Sequence, residues 1–137
     1  MVIEIIISEL DFHLIEKIRE LRIKSKLSQV ALAQKIGVSE GYIGNIENHK
    51  QTNKYNIRML ARIAVALELK SYVDLFPEKI YSNDLVKIKI DFIDKEKMKK
   101  DSKSGEKIER FNSLSVTPLS EKEIFEYDKS KRTKNNA

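Results

Sequence analysis

Side chains suited to base recognition are concentrated in the short segment 39–45 of the chain. Asn45 carries an amide whose acceptor and donor match N6 and N7 of adenine, and Glu40 can accept a hydrogen bond from N4 of cytosine while phosphate would repel it. Gln29 can donate to a phosphate oxygen from the start of a helix, where free backbone amides also attract anions. These residue types can form hydrogen bonds with the phosphates and bases of a polyanion. Such recognition involves no chemical reaction.

Groupings typical of enzymes and metal sites are not legible in the sequence. The chain has no cysteine, and its two histidines, His13 and His49, are far apart, so a metal site would need carboxylates at distances the sequence does not give. We interpret His13 as a surface residue at the start of a helix and His49 as a loop residue. Neither a Ser-His-Asp or Cys-His grouping nor a glycine-rich phosphate loop is present. We expect no enzymatic activity and no cofactor.

Charge is unevenly distributed along the 137 residues. Residues 1–11 carry three acidic and no basic residues, a charge of −3; residues 12–79 carry twelve basic against seven acidic, +5; residues 80–137 carry fourteen against eleven, +3. The net charge of +5 favours a polyanionic partner without requiring one. We interpret the basic run Lys129–Lys134 as a solvated tail.

The composition also bears on location. The absence of cysteine fits a reducing compartment. The apolar run Val2–Ile7 is too short and wrongly flanked for a signal peptide, and no stretch approaches the roughly 20 apolar residues of a membrane span. We expect a cytoplasmic protein that does not bind membranes.

Helical periodicity dominates the middle of the chain. Apolar residues at spacings of three and four over Phe12–Lys24 predict a first helix. Ser28 is the predicted N-cap of a second helix that Gly37 ends, and Ser39 is the predicted N-cap of a short third helix from Glu40 to Asn48.

A fourth helix and a final helical turn complete this part. Asn56 is expected to cap the fourth helix, whose inward residues are Ile57, Leu60, Ile63, Ala64 and Leu67. A fifth, short helical turn is predicted over Tyr72–Phe76, before Pro77.

Beyond Pro77 the apolar period becomes alternating. Leu85–Ile93 and Lys107–Thr117 both alternate, and the charged segment Asp94–Glu106 between them is expected to be a loop, so the pattern predicts a β-hairpin. Val2–Ser8 could add a third strand. Ser120 and Glu123 form a capping-box pattern that predicts a short terminal helix.

The second and third predicted helices have the residues needed for a rigid corner. Small or apolar residues must face each other where two helices nearly touch, and the turn between them needs a residue that tolerates a left-handed backbone. The sequence supplies these as Leu32, Ala33, Ile36, Gly37, Ile43 and Ile46.

The chain resembles the Cro and phage-repressor type helix-turn-helix family, also called the Xre family. The resemblance extends from about Phe12 through Phe76, including the fourth helix. The segments that carry it are Leu27-Ser28-Gln29, Leu32-Ala33, Ile36-Gly37-Val38-Ser39, Tyr42-Ile43 and Ile46-Glu47-Asn48.

This resemblance implies that the helix beginning at Ser39 enters the major groove of double-stranded DNA and presents residues near its start to base edges. Gln29, Lys50 and Lys54 are expected on phosphates, and each such contact makes binding steeper in salt by about 0.9 log units. The predicted DNA-binding residues are Gln29, Ser39, Glu40, Gly41, Tyr42, Asn45, Lys50 and Lys54.

Three positions depart from the common pattern of the family. Gly41 and Gly44 lie in the predicted recognition helix, where each costs about 1 kcal/mol against alanine, and Gly41 lacks a side chain at a position that often reads bases. His49 stands where the family usually has glycine, and the loop that follows it to Tyr55 is longer than usual.

We therefore predict a mainly α fold: a five-helix lambda-repressor-like DNA-binding domain over residues 12–79, preceded by a strand-like segment, residues 1–11. Residues 80–137 form a small C-terminal β-hairpin extension with a short terminal helix and a basic tail. The extension could be a dimer interface, a lid or a sensor, and exposed strand edges favour self-association.

The function expected from this resemblance is sequence-specific transcriptional regulation by a homodimer, acting as a repressor on a palindromic operator. The alternative is an antitoxin-like or adaptor module that mainly binds a partner protein through the helical domain or the extension. Glu40 and the two glycines favour that alternative.

Overall fold

The structure is a computed structural model that describes residues 1–49, 53–93 and 110–135, without the side chains of 133–135. It is mainly helical with one small sheet, as predicted. The elements in chain order are β1 (Val2–Ser8), α1 (Glu9–Lys24), α2 (Gln29–Ile36), α3 (Tyr42–Glu47), α4 (Ile57–Ala66), a 3₁₀ turn (Tyr72–Leu75), β2 (Leu85–Phe92), β3 (Phe111–Pro118) and α5 (Glu121–Asn135).

The first two helices have side-chain caps at their N-termini. α1 begins at Glu9, earlier than the predicted Phe12, because Ser8 Oγ accepts a hydrogen bond from the amide of Asp11 at 3.3 Å. Ser28 caps α2 as predicted, since its Oγ accepts from the amide of Ala31 at 3.0 Å. Capping by serine satisfies amides that have no partner inside the helix.

The turn after α2 depends on Gly37. Its φ of +76° lies in the left-handed region, which glycine adopts without steric cost. Arg62 of α4 donates from Nη1 to the carbonyl of Ile36 at 2.9 Å, so the end of α2 is also held from outside. The predicted stop at Gly37 is confirmed.

α3 is shorter than predicted, and the Ser39 cap is wrong. The helix spans Tyr42–Glu47 rather than Glu40–Asn48, and Gly41 occupies its N-cap position with no side-chain cap hydrogen bond among the described residues. The physical reason is competition, because the amide of Tyr42 already donates to the backbone carbonyl of Ser39 at 3.1 Å. Residues 39–41 therefore form a turn before the helix.

α4 follows its prediction at all but one position. Asn56 Oδ1 accepts from the amide of Met59 at 2.9 Å, which confirms the cap. Ile57 was predicted to face inward but is 85% exposed, because it is the first residue of the helix and the buried stripe begins at Met59. The other predicted inward residues of this helix are buried: Leu60, Ile63, Ala64 and Leu67.

The three strands form an antiparallel sheet in the order β1-β2-β3, which confirms both the hairpin and the third strand. The register aligns Ile5 with Ile88 and Ile88 with Val116. Because side chains alternate along a strand, one face is apolar: Ile3, Ile5, Ile7, Val86, Ile88, Ile90, Leu114, Val116 and Pro118. The loop prediction for Asp94–Glu106 and the predicted strand start at Lys107 lie outside the described residues.

The capping box of the terminal helix is confirmed. The amide of Ser120 donates to Glu123 Oε1 at 3.1 Å, and the amide of Glu123 donates to Ser120 Oγ at 3.2 Å. α5 continues to Asn135, so the run Lys129–Lys134 lies within a long helix and not in a tail after a short one. Lys129 and Arg132 are nevertheless exposed to solvent, as predicted for this basic run. No helix among the residues described is long and apolar enough to cross a membrane.

Candidate nucleic-acid interface

α3 buries one side and exposes the other. Ile43, Ile46 and Glu47 are all 0% exposed. Asn45 on the helix and Gly41 before it are exposed, as are Ser39 and Glu40 in the preceding turn. The polar groups expected to read bases are therefore at the surface.

The core positions of the corner behave as predicted. Leu32 and Ala33 of α2 are fully buried against Ile43 and Ile46 of α3, and Ile36 is 4% exposed. α1 and α4 pack against the same cluster. The outward side of α3 is therefore supported from behind by α1 and α2, and α4 contributes to the same core.

Gly44 leaves space for the end of the Gln29 side chain, which reaches α3 from α2. A Cβ on Gly44 would lie 2.9 Å from Gln29 Oε1, a distance that real Cβ atoms essentially never show. A Cβ on Gly41 would lie 3.7 Å from Asn45 Nδ2, which is an ordinary contact. The two glycines therefore have different roles: Gly44 makes room for Gln29, and Gly41 does not make room for a neighbour.

Gln29 turns partly toward the protein. Its Nε2 donates to Glu47 Oε1 at 3.1 Å, and the residue is half-buried. Since an amide nitrogen carries two hydrogens, this bond leaves one for another acceptor. Contact of Gln29 with a phosphate stays a prediction.

A buried ion pair fixes the end of α3, and the sequence analysis missed it. Arg22 donates to Glu47 with Nε to Oε2 at 2.8 Å and Nη2 to Oε1 at 2.8 Å. Arg22 Nη1 also donates to the carbonyl of Leu27 at 2.8 Å, and Arg19 Nε lies 3.7 Å from Glu47 Oε1. Glu47 thus connects α3 to α1 through Arg22 and to α2 through Gln29.

The sequence does contain a signal for this pair. Glu47 lies four residues after Ile43 and Arg22 four residues after Ile18, so each charge falls on the apolar side of its helix. A charge at such a position needs a partner, because an unpaired buried charge is costly. The periodicity therefore marks both residues as candidates for a buried ion pair.

Three other residues were predicted to contact DNA: Tyr42, Lys54 and Lys50. Tyr42 is half-buried, with its ring 6.3 Å from that of Tyr55, and burial raises the pKa of its hydroxyl. Lys54 is exposed and pairs with Asp11, Nζ to Oδ2, at 3.5 Å. Lys50 lies outside the described residues.

His49 lies in the loop after α3, as interpreted, but both histidines are less exposed than surface residues. His49 is a buried residue and only 2% exposed, because its Nε2 donates to Glu16 Oε1 at 2.8 Å and its ring packs on Phe12. His13 is half-buried, since its ring stacks on Tyr81 at 3.7 Å. Burial lowers the pKa of His13, although Glu9 and Glu16 act to raise it.

Comparison with known proteins gives one family and a group of related structures. A helix-turn-helix family model matches residues 18–73. The structure of SinR, described as the master regulator for biofilm formation, in complex with DNA is 31% identical; the match covers 45% of this chain and 95% of that chain, with a TM-score of 0.40.

Two other solved structures are similar in sequence. The N-terminal DNA-binding domain of SinR from Bacillus subtilis is 30% identical, with 50% of this chain and 97% of that chain covered and a TM-score of 0.38. The SinR/SinI protein complex is 22% identical, with 90% and 99% covered and a TM-score of 0.42. A search of curated proteins gave no match.

Proposed function

Because the chain belongs to the helix-turn-helix family of DNA-binding transcriptional regulators, we propose that it represses transcription as a homodimer bound to a palindromic operator. The observation that carries this proposal is the arrangement of α3, whose apolar side is fully buried while its polar side is exposed. A helix braced in this way can enter the major groove without rearranging its own core.

The base contacts come from the exposed side of α3 and the turn before it. Asn45 is placed to pair with adenine, and Glu40 to accept from cytosine. Gly41 has no side chain, so the backbone there can approach the DNA closely. Ser39 and Tyr42 flank these groups, and their contacts with DNA are proposed on position alone.

Phosphate contacts surround the base contacts. Gln29 lies at the start of α2 and has one amide hydrogen left for a phosphate. Lys54 can exchange its exposed pairing with Asp11 for a phosphate, since surface ion pairs of this kind contribute only about 0–1 kcal/mol. Lys50 is proposed for the same role from its place in the sequence.

The homodimer is proposed to form through β3. Within the described parts of the chain, β3 is an edge strand, and the segment Phe111–Pro118 contains no charged residue. Its apolar residues Leu114 and Val116 are each 41% exposed. Edge strands usually carry charges that prevent pairing with another chain, so an uncharged edge favours antiparallel pairing with a second copy.

The rival function is binding to a different protein, and the same edge strand favours it. One related structure is a complex of SinR with SinI protein. Co-purification of a stoichiometric partner, with no salt-sensitive DNA binding by the purified chain, would support this rival. A dimer in analytical ultracentrifugation of the chain alone would support self-pairing. In either case we propose a cytoplasmic location.

Selection of bound sequences from random DNA, followed by fluorescence anisotropy, tests the function. We expect affinity for the selected site to exceed that for scrambled DNA by about 10³-fold or more, and to fall as salt rises. Asn45→Ala should weaken binding to the selected site by about 1–3 kcal/mol and relax the preference at one base position. Lys70→Ala, an exposed residue beyond α4, is the control. Unchanged affinity and base preference in Asn45→Ala would refute its role as a reader.

A further inference from the structure

Arg110 comes from the C-terminal extension but is buried in the helical domain. It immediately precedes β3 and is only 7% exposed. Its Nη1 donates to the backbone carbonyl of Glu47, the last residue of α3, and its Nη2 donates to the carboxylate of Glu16 on α1. One guanidinium therefore joins the extension to two helices of the DNA-binding domain.

The carbonyl that Arg110 contacts is one that α3 cannot satisfy itself. The last carbonyls of a helix have no partner within it, and they carry the negative end of the helix dipole. α3 has six residues, too few to be stable without outside contacts. Glu47 is held by its side chain through Arg22 and Gln29 and by its main chain through Arg110.

His49 completes the site that receives Arg110. Its φ of +58° lies in the left-handed region, which favours glycine, yet its ring is buried and hydrogen-bonded. Because Glu16 is ionised and can only accept, His49 Nε2 is the donor to it. The 3.3 Å contact of Arg110 Nη2 with the same nitrogen therefore joins two donors, and His49 contributes by orienting Glu16. We call Glu16, His49 and the Glu47 carbonyl the Arg110 socket.

The electrostatics of the socket favour a cation beside Glu16. Burial acts to raise the pKa of Glu16, but the hydrogen bond from His49 and the charge of Arg110 outweigh it and lower that pKa. Burial, with Arg110 second, lowers the pKa of Arg19 to about 10. Arg22 and Arg19 pair with Glu47, whereas the guanidinium of Arg110 donates to Glu16.

We propose that Arg110 is a positioning residue for DNA recognition, which holds the C-terminal end of α3 and thereby ties the orientation of the reading helix to the sheet that contains β3. Any chain that pairs with the edge of β3 then acts on α3 through Arg110. This inference rests on the proposed function, and it concerns a residue outside the segment that matches the family.

The test compares Arg110→Gln and Arg110→Lys in the full chain, with Arg132→Gln on the exposed side of α5 as the control. We expect Arg110→Gln to weaken binding to the selected site by about tenfold, the range of a coupling between distinct parts of a protein. Arg110→Lys should recover only part of the loss, because an ammonium keeps the charge but lacks the fork that reaches two acceptors. Arg132→Gln should bind like the wild type.

Two further readouts separate positioning from other roles. A lost phosphate contact would reduce the salt slope by about 0.9 and weaken all sequences equally, whereas a positioning residue leaves the slope and the binding to scrambled DNA unchanged. Amide hydrogen exchange should be faster in α3 of Arg110→Lys and unchanged in α5.

Several results would overturn the inference. The inference would be wrong if Arg110→Gln bound the selected site with the affinity of the wild type. It would also be wrong if the variant lost equal affinity for selected and scrambled DNA. If Arg110→Gln does not fold, Arg110→Lys provides the test. An Arg110→Lys variant with the DNA affinity of the wild type and the same rate of amide exchange in α3 would also contradict the inference. Absence of salt-sensitive, sequence-specific binding in the wild type would instead refute the proposed function.

Discussion

Replacement of Glu47 by glutamine is expected to destabilise the fold because it breaks the buried ion pair at the end of α3. The side chain is 0% exposed and accepts two hydrogen bonds of 2.8 Å from Arg22 and one of 3.1 Å from Gln29. Glu47→Gln keeps the shape but removes the charge, so Arg22, itself 7% exposed, becomes a buried cation with a neutral partner. Breaking a buried pair in this way costs about 3–5 kcal/mol.

The lower end of that range applies here, because the glutamine oxygen still accepts one hydrogen bond and Arg22 keeps its bond to the Leu27 carbonyl. A loss of about 3 kcal/mol corresponds to a fall in Tm of roughly 10 °C for a domain of this size. Urea unfolding followed by circular dichroism measures the free energy directly.

Glu40→Gln is the matched control, since Glu40 is exposed in the turn before the same helix. It should change the free energy of unfolding by no more than about 0.5 kcal/mol. The double variant Arg22→Met with Glu47→Gln should be less destabilised than the sum of its single changes, because no unpaired cation remains. If Glu47→Gln unfolds within about 0.5 kcal/mol of the wild type, the buried pair does not hold α3 as described.

Two other predictions concern the glycines and acid stability. In Gly44→Ala the new Cβ would lie 2.9 Å from Gln29 Oε1, so the end of the Gln29 side chain must move and its hydrogen bond to Glu47 is disturbed. In Gly41→Ala the nearest neighbour lies at 3.7 Å, so this change should be neutral or stabilising by up to about 1 kcal/mol. Gly44→Ala should therefore stabilise the fold less than Gly41→Ala, and equal effects in thermal unfolding would contradict this. The pKa of Glu16 is lowered from 4.5, so its contribution to stability should be complete above that pH and lost as the pH falls through the lower folded value. Urea unfolding should therefore show that, over this acidic range, the free energy of unfolding falls more in the wild type than in Glu16→Gln.

The sequence predicts the corner between α2 and α3 well because local rules determine it. The spacing of Leu32, Ile36, Ile43 and Ile46 places them on facing sides, and glycine adopts the φ of +76° at position 37 without steric cost. Alternation likewise predicts β1, β2 and β3. The Ser39 cap fails for a local reason as well: a backbone carbonyl competes with the hydroxyl for the amide of Tyr42, and the residue types do not say which wins.

The contacts that hold α3 from behind could not be predicted in the same way. Glu47 meets Arg22 across 25 positions, and Arg110 meets Glu16 across 94. Periodicity marks Glu47 and Arg22 as charges on apolar faces, but it does not say which cation reaches which carboxylate. Arg110 has no periodic signal. His49 is a loop residue as predicted, but its burial depends on Glu16 and Phe12, which are distant in sequence.

The proposed function requires that the exposed side of α3 and the turn before it contact DNA. Titration of the selected DNA site into isotope-labelled protein, followed by amide chemical shifts in NMR, tests it most directly. We expect the largest changes at Glu40, Gly41 and Asn45, with little change at Ser113 and Ser115 on β3. Changes centred on β3 or α5, with those three amides unmoved at saturation, would contradict the account.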